Sequence, residues 1–179
     1  MKYLKLYETF DQFKKKFNHI YDDYDLINND EYNIPFSKLK GEVIEDILIS
    51  EDDNEIIIIV EGYGQYILYR MEHDQDCCEY VYIKDIVGDL NDIIGEKILL
   101  SEKISREISD EEIKDMFEND GDDSQMWTFY KLATINGYVT ICWAGFSNGY
   151  YSVDVGFYPI RVFESRKEMM DELFGNPTI

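Results

Sequence analysis

The sequence predicts an α+β fold dominated by antiparallel β-sheet, with a three-stranded meander in its C-terminal half and a few peripheral helices. Three observations carry this. Short apolar runs rich in Ile, Val and Tyr recur from residue 41 onward, separated by Gly, Asn and Asp clusters. Two Asn-Gly pairs, Asn136-Gly137 and Asn148-Gly149, separate strand-like runs. Helical periodicity is confined to a few stretches, so strands do not alternate with helices as a parallel α/β sheet requires.

The elements follow in order. Phe10, Phe13, Phe17 and Ile20 recur at helical spacing, and Thr9 with Gln12 has the form of a capping box, which predicts a helix over 9–19. Residues 21–35 are rich in Asp, Asn and Tyr and read as a connection, so the chain divides into an arm at 1–36, a β-rich domain at 37–160 and a helical tail at 161–179. Val43–Ile49, Ile56–Glu61 and Tyr66–Glu72 are strands, parted by a turn at 51–54 and a glycine turn at 62–64. HDQDCCE at 73–79 follows, then the strand-like YVYIKDI, a helical turn from Asp89 to Gly95 and a strand at 98–104. Ser109 and Glu112 fit a second capping box, with Ile108 and Ile113 placed as a hydrophobic staple, for a helix over 109–118. The Asn-Gly turns then predict meander strands at about 127–135, 138–147 and 150–158. With type I′ loops, Leu132 faces Ile141 and Tyr130 faces Trp143 on one sheet face, with Cys142, Val153, Val155 and Phe157 on the other. A last helix over 166–174 is capped by Ser165, with Glu168 three residues on.

Charge narrows the function classes. The 179 residues carry 17 Lys and Arg against 38 Asp and Glu, net −21. Residues 1–20 are net +3, 21–60 net −10, 61–125 net −13 and 126–179 net −1. Such a surface repels nucleic acid and anionic lipid and attracts basic proteins. No apolar run approaches a membrane span, and the start shows no signal peptide. Three cysteines, two of them adjacent, imply no disulfide framework, so a cytoplasmic setting is expected.

HDQDCCE concentrates the chemistry. His73, Asp76, Cys77 and Cys78 are the residues that would hold a divalent metal, but adjacent cysteines lack the C-x-x-C spacing that lets backbone wrap an ion. A cysteine nucleophile with His73 as base would be opposed by the surrounding carboxylates, which disfavour a thiolate. Asp and His side chains that bond a connection's backbone, with one cysteine packed inward, account for the stretch without chemistry. The acidic turns at 51–54 and 120–124 miss the calcium-loop spacing. GYGQY at 62–66 lacks the helix start and lysine of a phosphate loop and reads as a hairpin turn.

The blocks HDQDCCEYVYIKDIVGDLNDIIG and WTFYKLATINGYVTICWAGFSNGYYSVDVGF together resemble a phage and bacterial family of domains of unknown function. That family is marked by HDQDCCE, WTFY and SNGYYS motifs, and the resemblance spans about residues 40–158. Cys142 stands where members often carry Arg. The resemblance implies a fold unit and a phage or mobile-element setting, and marks His73, Asp74, Gln75, Asp76, Cys77, Cys78 and Glu79 with Ser147, Asn148, Tyr150 and Tyr151 as a binding surface. The opening KYLKLYETF looks like short amphipathic starts of other phage-encoded proteins.

The expectation is a non-enzymatic acidic interaction protein of phage or prophage type, without a cofactor, whose partner is a host or phage protein with a basic surface, as in counter-defence inhibitors. The alternatives are a metal-binding or cysteine-dependent enzyme centred on HDQDCCE, and a packaged virion component docked through residues 1–20.

Overall fold

A computed structural model describes residues 33–50, 53–75, 77–109, 112 and 124–174. Eight strands form two four-stranded antiparallel sheets. The first, in the order β1-β2-β3-β8, contains β1 (Val43–Ile49), β2 (Glu55–Gly62), β3 (Gln65–Glu72) and β8 (Gly156–Phe163). The second, in the order β4-β7-β6-β5, contains β4 (Glu79–Val87), β5 (Leu100–Glu107), β6 (Ser124–Ala133) and β7 (Tyr138–Ser147). An α-helix, α1 (Arg166–Phe174), follows β8.

The IIIIV run shows how the layers are built. Strand geometry sends alternate residues to opposite faces. Ile56, Ile58 and Val60 join Ile44, Ile47, Tyr69 and Met71 against Val81, Tyr130, Leu132, Ile141 and Trp143 of the second sheet. Ile57 and Ile59 point the other way, onto Leu68, Phe163 and the α1 residues Met169 and Leu173. Both faces are covered, which is why β2 is apolar without alternation. The layers are therefore helix, sheet, sheet. A short 3-10 turn, Phe36–Leu39, closes one side of the core.

The hairpin turns correct two expectations. Asn136-Gly137 is not a type I′ loop, because neither residue takes a positive φ. The turn is centred on Ile135 and Asn136. Thr134 N–H donates to the Gly137 carbonyl (2.9 Å), and Ala133 pairs with Tyr138. Gly137 serves a close approach instead: a Cβ there would collide with the Asp92 carboxylate. The register is consequently offset by two residues, with Leu132 opposite Val139 and Tyr130 opposite Ile141. An even offset preserves the face, so Leu132, Tyr130, Ile141 and Trp143 all lie in the inter-sheet core as expected.

The type I′ geometry occurs at Tyr63-Gly64 (φ 54° and 83°), between the paired residues Gly62 and Gln65. Tyr63 is fully exposed and makes up for its left-handed backbone with no packing. Tyr63→Asn is therefore expected to raise stability by about 0.5–1 kcal/mol, read as a higher urea midpoint at unchanged slope. A lower midpoint would contradict that turn.

The expected third meander strand at 150–158 does not join β6 and β7; the strand consecutive with them in this sheet is β5, which pairs with β6. β6 and β7 pair, but the other edge of β7 is taken by β4, from Glu79 opposite Ser147 to Val87 opposite Thr140. Residues after Gly149 cannot return there. The chain crosses between the sheets instead. Val153 sits on Gly145, where a Cβ would lie 2.6 Å from the valine, and the strand resumes as β8 against β3. Val153, Val155 and Phe157 thus share the core with Trp143, and not the face of Cys142.

The helix signals are read through their caps. Asp89 Oδ1 accepts from Asn91 N–H (2.9 Å) at a 3-10 turn, Leu90–Asp92. Glu112 and Ser109 make the reciprocal capping box at 3.1 and 3.4 Å. Hydrogen bonds from Arg106, then from Ser109, hold the Glu112 carboxyl well below the usual carboxylate range. Ile113–Glu118 and the expected helix over 9–19 lie outside the described residues. Ser165 Oγ accepts from Glu168 N–H (3.2 Å) to cap α1.

Candidate functional site

The β3–β4 connection carries HDQDCC and the β7–β8 connection carries NGYYSVDV, and both leave the sandwich at the same end, since Glu79 pairs with Ser147 and Glu72 with Gly156. The structure thus brings together the residues that the two motifs mark, Asp76 apart, which lies outside the described residues.

His73 holds the two connections together. Its Nδ1 lies 2.7 Å from the Asp154 carbonyl oxygen and its Nε2 2.8 Å from Glu79 Oε1. The side chains are nearly buried, His73 at 8% and Glu79 at 3% exposed. Both partners are acceptors, so a ring carrying both N–H protons satisfies both bonds. Gln75 lies across the outer edge of β4. Its amide donates to the Val81 carbonyl and accepts from Val81 N–H, standing in for a neighbouring strand. Ile83 N–H, two residues on along β4, donates to the Asp53 carbonyl (2.6 Å).

The second motif is bonded in the same way. Ser147 Oγ accepts from Gly149 N–H (3.1 Å) and donates to the Tyr151 carbonyl (2.9 Å). Asn148 Oδ1 accepts from Tyr150 N–H (3.1 Å), and Asn148 N–H donates to the Cys78 carbonyl (3.2 Å). The Asn148-Gly149 pair therefore makes an Asx turn that reverses the chain, with Gly149 alone at positive φ.

What faces solvent is different in kind. Tyr150 is 85% exposed and stands edge-on to Tyr151, ring centroids 5.2 Å apart. Asp74, Cys77 and Cys78 are exposed. Asp154 is exposed and pairs with Lys103 at 3.1 Å. The expectation that one cysteine of the pair packs inward is not met. The buried cysteine is Cys142, whose thiol is pushed up by burial and by the Asp85 charge, against a smaller opposing effect of Lys131.

A second polar cluster was not foreseen. Arg70, Glu55, Glu72 and Tyr158 lie together on the face of the first sheet that α1 covers further along. Arg70 Nε is 2.8 Å from Glu55 Oε1 and Nη1 is 3.4 Å from Glu72, which also accepts from the Tyr158 hydroxyl. The signal was present: Arg70 falls on an apolar phase of β3, where only a partnered charge is stable.

Among the described residues, no group of three or more His, Cys, Asp or Glu side chains is disposed to hold a metal ion. Both His73 nitrogens are engaged by Asp154 and Glu79, which leaves neither directed at the thiols as a base. No helix among the described residues is long and apolar enough to cross a membrane.

The family model described as Domain of unknown function (DUF7448) matches residues 37–157. No curated protein and no solved structure matches the chain.

Proposed function

Because the chain belongs to the DUF7448 family of domains of unknown function, we propose from the geometry of its loop end that it is a non-enzymatic interaction protein whose acidic, tyrosine-bearing tip engages a basic protein surface. One observation carries this. The polar groups of His73, Gln75, Glu79 and Ser147 are engaged within the protein, and they hold in place a rim of Tyr150, Asp74 and Asp154. An exposed tyrosine held by a bonded loop is a suitable contact residue, since it presents large area at small entropic cost.

The charge of −21 supports a basic partner. A phage or prophage setting, with the protein occupying the basic groove of a host nuclease as a counter-defence inhibitor, is the specific form of this reading.

The test is capture of partners by the tagged full chain at low and high salt, followed by binding of the purified partner. A basic partner that raised salt releases, and that Tyr150→Ala weakens about tenfold or more, is the expected result. If a basic nuclease binds no better than a neutral protein at low salt, or Tyr150→Ala leaves affinity unchanged, the reading fails.

A further inference from the structure

Cys77 and Cys78 are adjacent, both are exposed, and neither is in a disulfide. Their sulfurs lie 3.0 Å apart, in the turn that leads into β4. We propose that the pair is a redox modification site, a vicinal dithiol that low-molecular-weight disulfides such as oxidised glutathione close to a Cys77–Cys78 disulfide.

The chemistry balances in two exchange steps. One protein thiolate attacks the small disulfide, forming a mixed disulfide and releasing one small thiol. The neighbouring protein thiolate then attacks the protein-side sulfur and releases the second. One small-molecule S–S bond and two protein S–H bonds are lost, and one protein S–S bond and two small-molecule S–H bonds are gained. The protein gives up two electrons and two protons, and the small disulfide takes them.

Geometry favours the second step. The sulfurs are already in contact, and closure to a bond of about 2.05 Å requires a side-chain adjustment of roughly 1 Å. The ring is nonetheless strained, because adjacent Cα atoms stand about 3.8 Å apart, below the usual disulfide span of about 4.4–6.8 Å. Strained, exposed disulfides belong to the readily reduced class. The site is therefore reversible in a reducing compartment, and reports oxidation without locking the fold. Cys142 takes no part, being buried in the second sheet.

Closure would be felt in the second motif. The Cys78 carbonyl accepts from Asn148 N–H (3.2 Å), and Cys77 Sγ lies 3.9 Å from the Tyr151 hydroxyl. The ring closes through the Cys77–Cys78 peptide, directly before the peptide whose Cys78 carbonyl makes the first contact, and closure moves the Cys77 sulfur that makes the second.

The experiment treats the reduced full-length protein with oxidised glutathione and digests it with trypsin. Cleavage after Arg70 and Lys84 yields one peptide holding Cys77 and Cys78 and excluding Cys142. The expected product is that peptide lighter by two hydrogen atoms, restored by dithiothreitol. Cys77→Ser and Cys78→Ser should each stop at a stable glutathione adduct, because the resolving thiol is gone. A stable adduct on the wild-type peptide, a cross-link between chains, or no reaction would overturn the proposal. The amide resonances of Asn148 and Tyr151 should shift on oxidation of the wild type. Resonances that stay in place would overturn the coupling to the second motif.

Discussion

Arg70→Met is expected to cost about 3–5 kcal/mol, the loss typical of removing one member of a buried ion pair. The Arg70 side chain is 9% exposed and lies 2.8 Å from Glu55, itself 5% exposed. Methionine fills much of the same volume, so the loss is not chiefly a cavity. It comes from leaving the Glu55 carboxylate buried without this counter-charge. The Glu72 contact, at 3.4 Å and 30% exposed, adds less. Against a typical domain stability of about 5–15 kcal/mol, this is a large share. Adding Glu55→Gln to Arg70→Met should recover part of it, because the stranded charge goes too. Urea unfolding of both variants measures this. A loss under about 1 kcal/mol in Arg70→Met would mean that solvent reaches the cluster and that the pair is a surface pair in effect.

Tyr130 should be comparably sensitive. It is 1% exposed, its ring meets Phe36 edge-on at 4.9 Å, and its hydroxyl donates to the Val155 carbonyl at 3.0 Å. Tyr130→Ala is expected to cost about 3–5 kcal/mol. Tyr130→Phe removes only the hydrogen bond, at about 1–1.5 kcal/mol. The pair separates packing from bonding.

The phenol also predicts an alkaline limit. Burial, and then the Asp154 charge, hold its pKa well above the ordinary 10.0. A raised folded pKa means that the folded state keeps a proton the unfolded chain releases. The contribution is complete below about pH 10 and declines as pH rises beyond it. Tyr66, Tyr69 and Tyr82 are shifted the same way, each chiefly by burial. Stability should therefore fall steeply above pH 10, and less steeply in Tyr130→Phe. Parallel slopes in the two proteins would show that Tyr130 ionises freely in the fold.

Much of this architecture was legible because strand periodicity is local. The strands around Val43–Ile49, the IIIIV run and Tyr66–Glu72 are where alternation and turn residues put them. The face of Leu132, Tyr130, Ile141 and Trp143 emerged correctly from a register that was two residues off, since an even error returns every side chain to its side. What failed was long-range. Asn136-Gly137 looks like a type I′ turn, but its glycine makes room for Asp92 of a different segment. Nothing near Gly149 in the sequence says that β4 already occupies the edge of β7.

The candidate site follows the same division. The two motifs named most of its residues. The contacts that give them roles come from Asp154 at His73, which depends on the crossing between sheets, from Asn148 at Cys78, which depends on the pairing of β4 with β7, and from Val81 at Gln75, six residues along the chain. Arg70 and Glu55 escaped notice because each, taken alone, is one charge in an apolar strand. Their pairing becomes visible only when β2 and β3 lie side by side.

The central claim is that His73 is a structural tie between the two connections. A double-mutant cycle on His73→Ala and Glu79→Ala, read as urea unfolding free energies at neutral pH, tests it most directly. The 2.8 Å contact between two nearly buried side chains predicts that each single variant is destabilised, with a coupling energy of about 1–3 kcal/mol. Single variants as stable as the wild type, with no coupling, would contradict the claim and return HDQDCCE to the status of a site kept for its chemistry.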